Sequence, residues 1–250
     1  MISLLLSVGV SSWADTTYTA DEIMQSVASK QQWRMVQQDL SLTINDGKKT
    51  KQYRMKTEMR QEGDAFYCHA RFVSPKNVSN TQIVWIDRAN KDDSMWLYLP
   101  ALKRITTLND NNRSRAFMGS DFEFNDFLLM NLPQSHTIQK ETPTTWIIES
   151  TPNASVSSPY NKWVSTVDKA TKSPSTIHLF TGDILIKELT IQQIDDNGIP
   201  KKSTMKNLRT GSQTTLELHT FDNQSEIPMS HFTKEYLLQP ISETNTTDTP

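Results

Sequence analysis

The chain has 250 residues and is close to electroneutral, with 26 Lys and Arg against 28 Asp and Glu and a formal net charge of -2. This balance lacks the basic excess with which proteins bind nucleic-acid phosphates, so nucleic acid is excluded as a partner class. Hydrophobic residues make up 36% of the chain and recur in periodic runs, which indicates a folded domain rather than a disordered protein.

The chain begins with a short apolar run. Residues 2–10 read ISLLLSVGV, and Ser12 and Ala14 place small side chains where a signal peptidase cleaves. The run is too short to span a bilayer as a helix, and no second run of spanning length follows. We therefore expect a signal peptide over residues 1–14, and a flexible polar tail over residues 240–250.

A helix is predicted next, over residues 19–30. Thr19 and Glu22 have the spacing of a capping box, in which the two side chains satisfy amide groups at the start of a helix. Apolar residues on one side of this helix would pack against a sheet; they are Ile23, Met24 and Val27.

From Arg34 onward the pattern changes to alternating strands separated by turns such as Asn45-Asp46-Gly47 and Thr181-Gly182-Asp183. Short connections give antiparallel neighbours, so we expect a mainly β (α+β) fold. It would have one strongly curved antiparallel sheet, an open or half β-barrel of roughly 11 strands. Such a sheet leaves an apolar face exposed, and two or three short helices would cover it, at residues 19–30, 121–131 and 231–238. The interior is then either a solid core or a container.

Aromatic residues are densest between Met95 and Leu128. Ser120 and Glu123 form a second capping box, and Gly119 just before it permits a tight turn. The apolar side chains of this block and of the strand before it have two interpretations, as core or as the lining of a ligand cavity, although neighbouring strand residues point to opposite faces. The candidate lining residues are Trp85, Trp96, Tyr98, Leu99, Phe117, Met118, Phe122, Phe124 and Phe127.

Three arginines in the same block also have two interpretations. Arg104, Arg113 and Arg115 are either surface charges at the rim of the sheet or a latch. In the second case one of them would bind Asp121 or the carbonyl groups at a helix end and hold a lid closed, because a guanidinium has five donors in a fixed fork.

Catalytic and metal-binding motifs are missing from the sequence. The five histidines have no metal-ligand spacing, there is no nucleotide-binding glycine motif, and we predict no cofactor and no enzymatic activity. Asp92-Asp93 and Asp195-Asp196 are typical of solvated turns. Cys68 is interpreted as a strand residue rather than a reactive thiol, and it has no second cysteine with which to form a disulfide. A hydrolase with carboxylates from distant strands stays as an alternative.

The central block reads WLYLPALKRI from Trp96 and RAFMGSDF from Arg115. In these motifs it resembles the bacterial outer membrane lipoprotein-sorting protein family, which is similar in fold to the LolA and LolB lipoprotein carriers. Weaker similarity is spread over most of the chain, at Arg71-Phe72, Pro75, Thr81, Val167-Asp168-Lys169, Lys187, Thr214-Thr215, Ile227-Pro228 and Phe232-Thr233.

The resemblance implies a LolA-like lipid-binding domain over residues 15–239, with helices closing a hydrophobic cavity on the concave side of the sheet. It implies a monomeric periplasmic carrier or chaperone that binds the acyl chains of a lipoprotein or another lipid and moves them toward the outer membrane. An inner-membrane permease and an outer-membrane acceptor would be its partners. The alternative is a sensor that resembles the LolA-like domain of RseB, binds a lipid or peptide and signals to a protein partner.

Overall fold

The computed structural model describes residues 18–30, 33–88, 94–108, 116–127, 134–154, 158–196 and 198–239. These residues form one α-helix, α1 (Ala20–Ser29), and one sheet of 13 strands. The strands are β1 (Met35–Asn45), β2 (Thr50–Glu62), β3 (Ala65–Ser74), β4 (Gln82–Arg88), β5 (Ser94–Leu99), β6 (Arg104–Leu108), β7 (Gln134–Glu141), β8 (Thr145–Pro152), β9 (Lys162–Asp168), β10 (Pro174–Thr181), β11 (Ile184–Ile194), β12 (Pro200–Asn207) and β13 (Gln213–Asp222).

The strand order places β6 and β7, which are consecutive in sequence, at the two opposite edges of the sheet. The order is β6-β5-β4-β3-β2-β1-β13-β12-β11-β10-β9-β8-β7, and all pairs are antiparallel. Two runs of consecutive hairpins, β1 to β6 and β7 to β13, are joined at the centre by β1 and β13. The chain between β6 and β7 therefore has to pass from one edge to the other. We call its described part, residues 116–127, the crossing segment.

The sheet curls around the crossing segment. Phe124 packs edge-on against Trp85 of β4, and two residues later Asp126 contacts Lys187 of β11. These strands lie six intervals apart in the sheet order, which corresponds to about 29 Å along a flat sheet. Curvature brings them close enough for one short segment to contact both. The face that carries the crossing segment is the inner face.

Helix α1 covers another part of the inner face. The predicted capping box is confirmed, because the Thr19 N–H donates to Glu22 Oε2 at 2.8 Å and the Glu22 N–H donates to Thr19 Oγ1 at 3.2 Å. The predicted apolar side of the helix, Ile23, Met24 and Val27, packs on Trp146 and Ile148 of β8 and Val167 of β9.

The opposite, outer face of the sheet carries the last segment that the structure describes. Residues 227–239, which we call the C-terminal segment, form two short 3-10 turns, Met229–Phe232 and Tyr236–Leu238. Their buried side chains pack with Met35, Val84 and Ile86. The helix predicted at 231–238 on the concave side is therefore wrong in both type and face.

Two further expectations need correction. The sheet has 13 strands rather than roughly 11, and β7 was missed because its sequence QSHTIQKE is polar and mostly exposed along one edge. The helix predicted over 121–131 is not formed in its described part, where only a 3-10 turn at Phe124–Phe127 is present. Glu123 does not cap a helix, because its carboxylate binds Lys187 instead.

Candidate functional site

The inner face is lined by apolar side chains from both halves of the sheet, and the aromatic rings of the crossing segment lie among them. Phe117 packs against Phe72 of β3 at 5.9 Å and edge-on against Phe124 at 5.3 Å between ring centroids. Phe122 and Phe127 stack at 5.6 Å. The same cluster reaches Trp163 of β9. Apolar surface therefore runs across most of the inner face, and among the described residues the crossing segment, 116–127, covers its central part.

The crossing segment is folded back on itself in a tight turn. The Phe117 N–H donates to the Phe122 carbonyl at 2.7 Å, and Ala116 forms an isolated bridge with Glu123. Met118 and Gly119 at the turn have φ values of +53° and +76°, in the left-handed region. Glycine adopts this region freely, whereas methionine does so at a cost.

A carboxylate fixes the tip of this turn to β13. Asp121 is buried, and its N–H donates to Thr214 Oγ1 at 2.9 Å. The Thr214 hydroxyl donates in turn to Asp121 Oδ2 at 2.7 Å, and the Ser212 hydroxyl donates to Oδ1. Hydrogen bonds to a charged group are stronger than neutral ones, so this contact holds the turn against the sheet.

A buried lysine fixes the other end of the crossing segment to β11. The Lys187 ammonium lies 2.9 Å from Glu123 Oε1 and 3.1 Å from Asp126 Oδ2, and the three side chains are 6%, 19% and 3% exposed. The Tyr160 hydroxyl donates to Asp126 Oδ1 at 2.5 Å. One ammonium thus serves two carboxylates, and Glu123 Oε2 has no hydrogen-bond partner among the described residues.

This arrangement places an excess of negative charge in an apolar setting. Burial raises the pKa of the Glu123 carboxyl, and the hydrogen bond from Lys187 only partly opposes that change. Burial and the neighbouring Asp126 charge also raise the pKa of Tyr160, which keeps its hydroxyl as the donor. Because Lys187 already engages the carboxylates of both Glu123 and Asp126, we interpret these groups as anchors of the crossing segment.

The structure separates the predicted lining residues. Trp85, Phe117, Phe122 and Phe124 are buried together in the inner cluster, and Met118 packs against it. Phe127 is 43% exposed, and Leu99 is half-buried at the end of β5. Trp96 and Tyr98 pack with the C-terminal segment on the outer face, so they do not share a surface with Trp85. The alternation of side chains along β5 is the physical reason for this correction.

Asp121, the predicted partner of the arginine latch, binds other side chains among the described residues. Asp121 binds the hydroxyls of Ser212 and Thr214, and Arg104 is exposed at the start of β6. Arg113 and Arg115 lie outside the described residues. Sequence reasoning missed the anchor of Lys187 with Glu123, Asp126 and Tyr160. The available signal was a lysine within the apolar run ILIKEL of β11.

A second attachment holds the C-terminal segment to the outer face. Glu58 Oε2 lies 3.1 Å from His69 Nδ1 and 3.0 Å from His231 Nδ1, and the rings of His231 and Tyr236 stack at 4.3 Å. Arg60 Nη1 donates to the Ile227 carbonyl at 2.8 Å. Burial opposes ionisation of Glu58, but the hydrogen bond from His69 and the charge of His231 outweigh it, and the pKa of Glu58 is lowered.

Two other features bear on function class. Within the described ranges, no group of three or more His, Cys, Asp or Glu is placed to hold a metal ion. The same residues include no helix with the length and apolar character needed to cross a membrane.

Comparison with known proteins shows which family and which solved structures this chain is similar to. A family model described as "Uncharacterized protein" matches residues 67–239. The comparison with curated proteins gave no match. Among solved structures, a DUF1329 family protein from Desulfovibrio piger is similar with a TM-score of 0.81 and 20% identity, over 88% of this chain and 100% of the other.

Two further solved structures share the fold. One is a putative outer membrane lipoprotein-sorting protein domain from Vibrio parahaemolyticus, with a TM-score of 0.75 and 24% identity over 87% of this chain and 97% of the other. The other is a LolA superfamily protein from Nitrosomonas europaea, with a TM-score of 0.70 and 14% identity over 88% of this chain and 100% of the other.

Proposed function

From the premise that the chain belongs to the family whose model matches residues 67–239 and has a LolA-like fold, we propose that it is a lipid carrier. It would bind the acyl chains of a lipoprotein or another lipid on the inner face of the sheet and move them toward the outer membrane. It would do so in the periplasm, as a monomer, after removal of the signal peptide.

The observation that carries this proposal is a continuous apolar face beneath a cover attached by polar contacts. The crossing segment is held by Asp121, Glu123 and Asp126, each bound to a side chain of the sheet. Buried ion pairs contribute little net stability, because the cost of desolvating the charges offsets their attraction. An apolar ligand can therefore compete with the crossing segment for the inner face.

The ligand would contribute most of the free energy for this exchange. Each methylene that moves from water to an apolar surface contributes about 0.8 kcal/mol. A partly buried acyl chain thus offsets the loss of the ring contacts that Phe117 and Phe124 make in the closed state. Release would follow transfer to an acceptor that binds the chain more tightly. An inner-membrane permease as donor and an outer-membrane protein as acceptor fit this scheme.

Two measurements on purified protein test the proposal. The protein is extracted and analysed for lipid that co-purifies with it, and it is titrated with a fluorescent fatty acid. We expect bound lipid or saturable binding of the fatty acid. A folded protein that carries no lipid and does not bind the fatty acid contradicts the proposal. Stable capture of one protein from a membrane extract, without transfer of lipid to acceptor vesicles, favours the RseB-like sensor instead.

A further inference from the structure

Two polar side chains on β9 point from the sheet into the interior. Trp163, Ser165 and Val167 alternate with more exposed neighbours along the strand, so all three side chains lie on the inner face. Trp163 and Ser165 are both 0% exposed. Ser165 lies in an apolar row, with Ile148 of β8 and Ile177 of β10 as its cross-strand neighbours.

Both of these side chains have an unused hydrogen-bonding group. Trp163 Nε1 and Ser165 Oγ have no hydrogen-bond partner among the described residues. Ser150, which is equally buried and directly opposite Trp163, bonds His136 Nδ1 through its hydroxyl at 2.8 Å. Because buried polar groups in native proteins are nearly always paired, two unpaired groups two residues apart on one strand require an explanation.

Their position is the boundary between the two covers of the inner face. Ile148, the cross-strand neighbour of Ser165, packs under helix α1. Trp163 belongs to the cluster that contains Phe117, Phe122 and Phe124 of the crossing segment. A ligand that enters where the crossing segment separates from α1 would therefore meet both groups.

The nearby charges indicate which ligand group fits. Lys187 lies on the same cross-strand row as Trp163, with Leu179 between them, and it brings Glu123 and Asp126 with it. This neighbourhood has a negative excess, so a neutral acceptor fits it better than a free carboxylate does, and a fatty acid would bind on the inner face through its chain alone. An indole N–H is a donor only, and a serine hydroxyl can donate as well. Two donors suit a neutral acceptor.

We propose that Trp163 Nε1 and Ser165 Oγ donate hydrogen bonds to the carbonyl oxygen of an acyl ester bound on the inner face. This inference rests on the proposed function and makes it specific. The site selects an acylated lipid over a plain alkyl chain, and it fixes the depth to which the chain enters. The Cα atoms of residues two apart on a strand are about 6.6 Å apart, so the side chains of Trp163 and Ser165 are neighbours on the inner face.

A competition experiment tests the assignment. A fluorescent fatty acid is displaced from the protein either by methyl palmitate or by hexadecyl methyl ether, which differ in the carbonyl oxygen. We expect the wild-type protein to prefer the ester by about fivefold, the value of one net hydrogen bond. Ser165→Ala and Trp163→Phe should each reduce this preference. Ser150→Ala is the matched control, because its hydroxyl is already paired with His136, and it should keep the preference.

Thermal unfolding of the free protein adds an independent readout. Ser165→Ala removes an unpaired buried hydroxyl, so the melting temperature should stay the same or rise, whereas Ser150→Ala should lower it. Equal displacement by ester and ether, or an unchanged preference in Ser165→Ala, overturns the inference while the carrier stands. If neither compound nor the fatty acid binds, the carrier proposal and this inference both fail.

Discussion

One short segment packs on each face of the sheet beside the other covering elements, and these two segments are attached by different chemistry. The crossing segment buries Phe117, Phe122 and Phe124 on the inner face, and the C-terminal segment buries Ile227, Phe232 and Leu237 on the outer face. Their apolar contacts are therefore of the same kind. The difference lies in the polar groups that accompany them.

On the inner face, Glu123 and Asp126 share the single ammonium of Lys187, and burial raises the pKa of Glu123. On the outer face, one carboxylate, Glu58, is shared by two imidazoles, and its pKa is lowered. Its surroundings in the folded protein therefore disfavour the charged form of Glu123 in the inner attachment, whereas they favour the charged form of Glu58 in the outer attachment. We infer that the crossing segment separates from the sheet at a lower free energy than the C-terminal segment does.

The largest effect is expected when Lys187 is replaced. Lys187→Met leaves Glu123 and Asp126 buried without their cation, and removing one partner of a buried pair costs about 3–5 kcal/mol. Urea denaturation measures this loss of unfolding free energy. The matched control combines Glu123→Gln, Asp126→Asn and Lys187→Met, and it should recover most of the loss. A loss below about 1 kcal/mol would show that the ion pair does not hold the crossing segment.

Replacing Glu58 and Glu123 one at a time by glutamine should show that the two attachments differ in strength. Glu58→Gln removes a carboxylate that accepts hydrogen bonds from two histidines, and we expect a loss of about 2 kcal/mol at pH 7. Glu123→Gln should be neutral or slightly stabilising, because burial already favours the uncharged form of that side chain. Denaturation of both variants at pH 7 is the measurement. Equal losses would contradict the comparison.

The pH dependence of the unfolding free energy follows from the directions in which the pKa values of Glu58 and Glu123 are shifted. The folded pKa of Glu58 lies below its ordinary value of 4.5, so its contribution is complete above pH 4.5 and is lost as the pH falls through the folded value. The folded pKa of Glu123 lies above 4.5, so its proton stabilises the folded state as the pH falls from that folded value to 4.5. The unfolding free energy of each glutamine variant is subtracted from that of the wild type between pH 3 and 7. The two differences should change with pH in opposite directions.

A smaller effect is expected at the turn of the crossing segment. Gly119 has a φ of +76° and its Cβ position is open, so Gly119→Ala should cost about 1 kcal/mol through backbone strain alone. Gly63→Ala, at a φ of +57° in the hairpin between β2 and β3, is the matched control with a similar cost. Hydrogen exchange should quicken over residues 116–127 in the first variant only. The same exchange in both variants would show that this turn does not control opening.

Local signals predicted most of the framework. The capping box of α1 depends on Thr19 and Glu22, which are close in sequence, and hairpin turns place each strand beside the next. Strand β7 was not predicted, because an edge strand needs no apolar face. The helix expected after Ser120 was wrong, because the Glu123 carboxylate binds Lys187 at long range and the Ser120 hydroxyl bonds the Phe122 backbone, so the capping box does not form.

The site was less predictable for the same physical reason. Alternation predicts that Trp96 and its neighbours point to opposite faces, but only the curl of the sheet decides which face is inside. The anchor joins Lys187 to Glu123 across 64 residues and to Asp126 across 61, and no periodicity links such positions. The unused donors of Trp163 and Ser165 appear only when the neighbours on all sides are known.

The central claim is that the crossing segment is displaced when a lipid binds, and a reversible lock tests it directly. Asp121 and Thr214 are in contact through two hydrogen bonds, so Asp121→Cys with Thr214→Cys places two thiols close enough for a disulfide. Cys68 should not interfere, because burial raises the pKa of its thiol to about 12 and keeps it protonated.

Binding of a fluorescent fatty acid is then compared between the oxidised and the reduced form of this one variant. The reduced form is the control for the two substitutions themselves. We predict that the reduced form binds and that the oxidised form, with the crossing segment tied to β13, does not. Equal binding by the two forms would contradict the claim that the crossing segment must move.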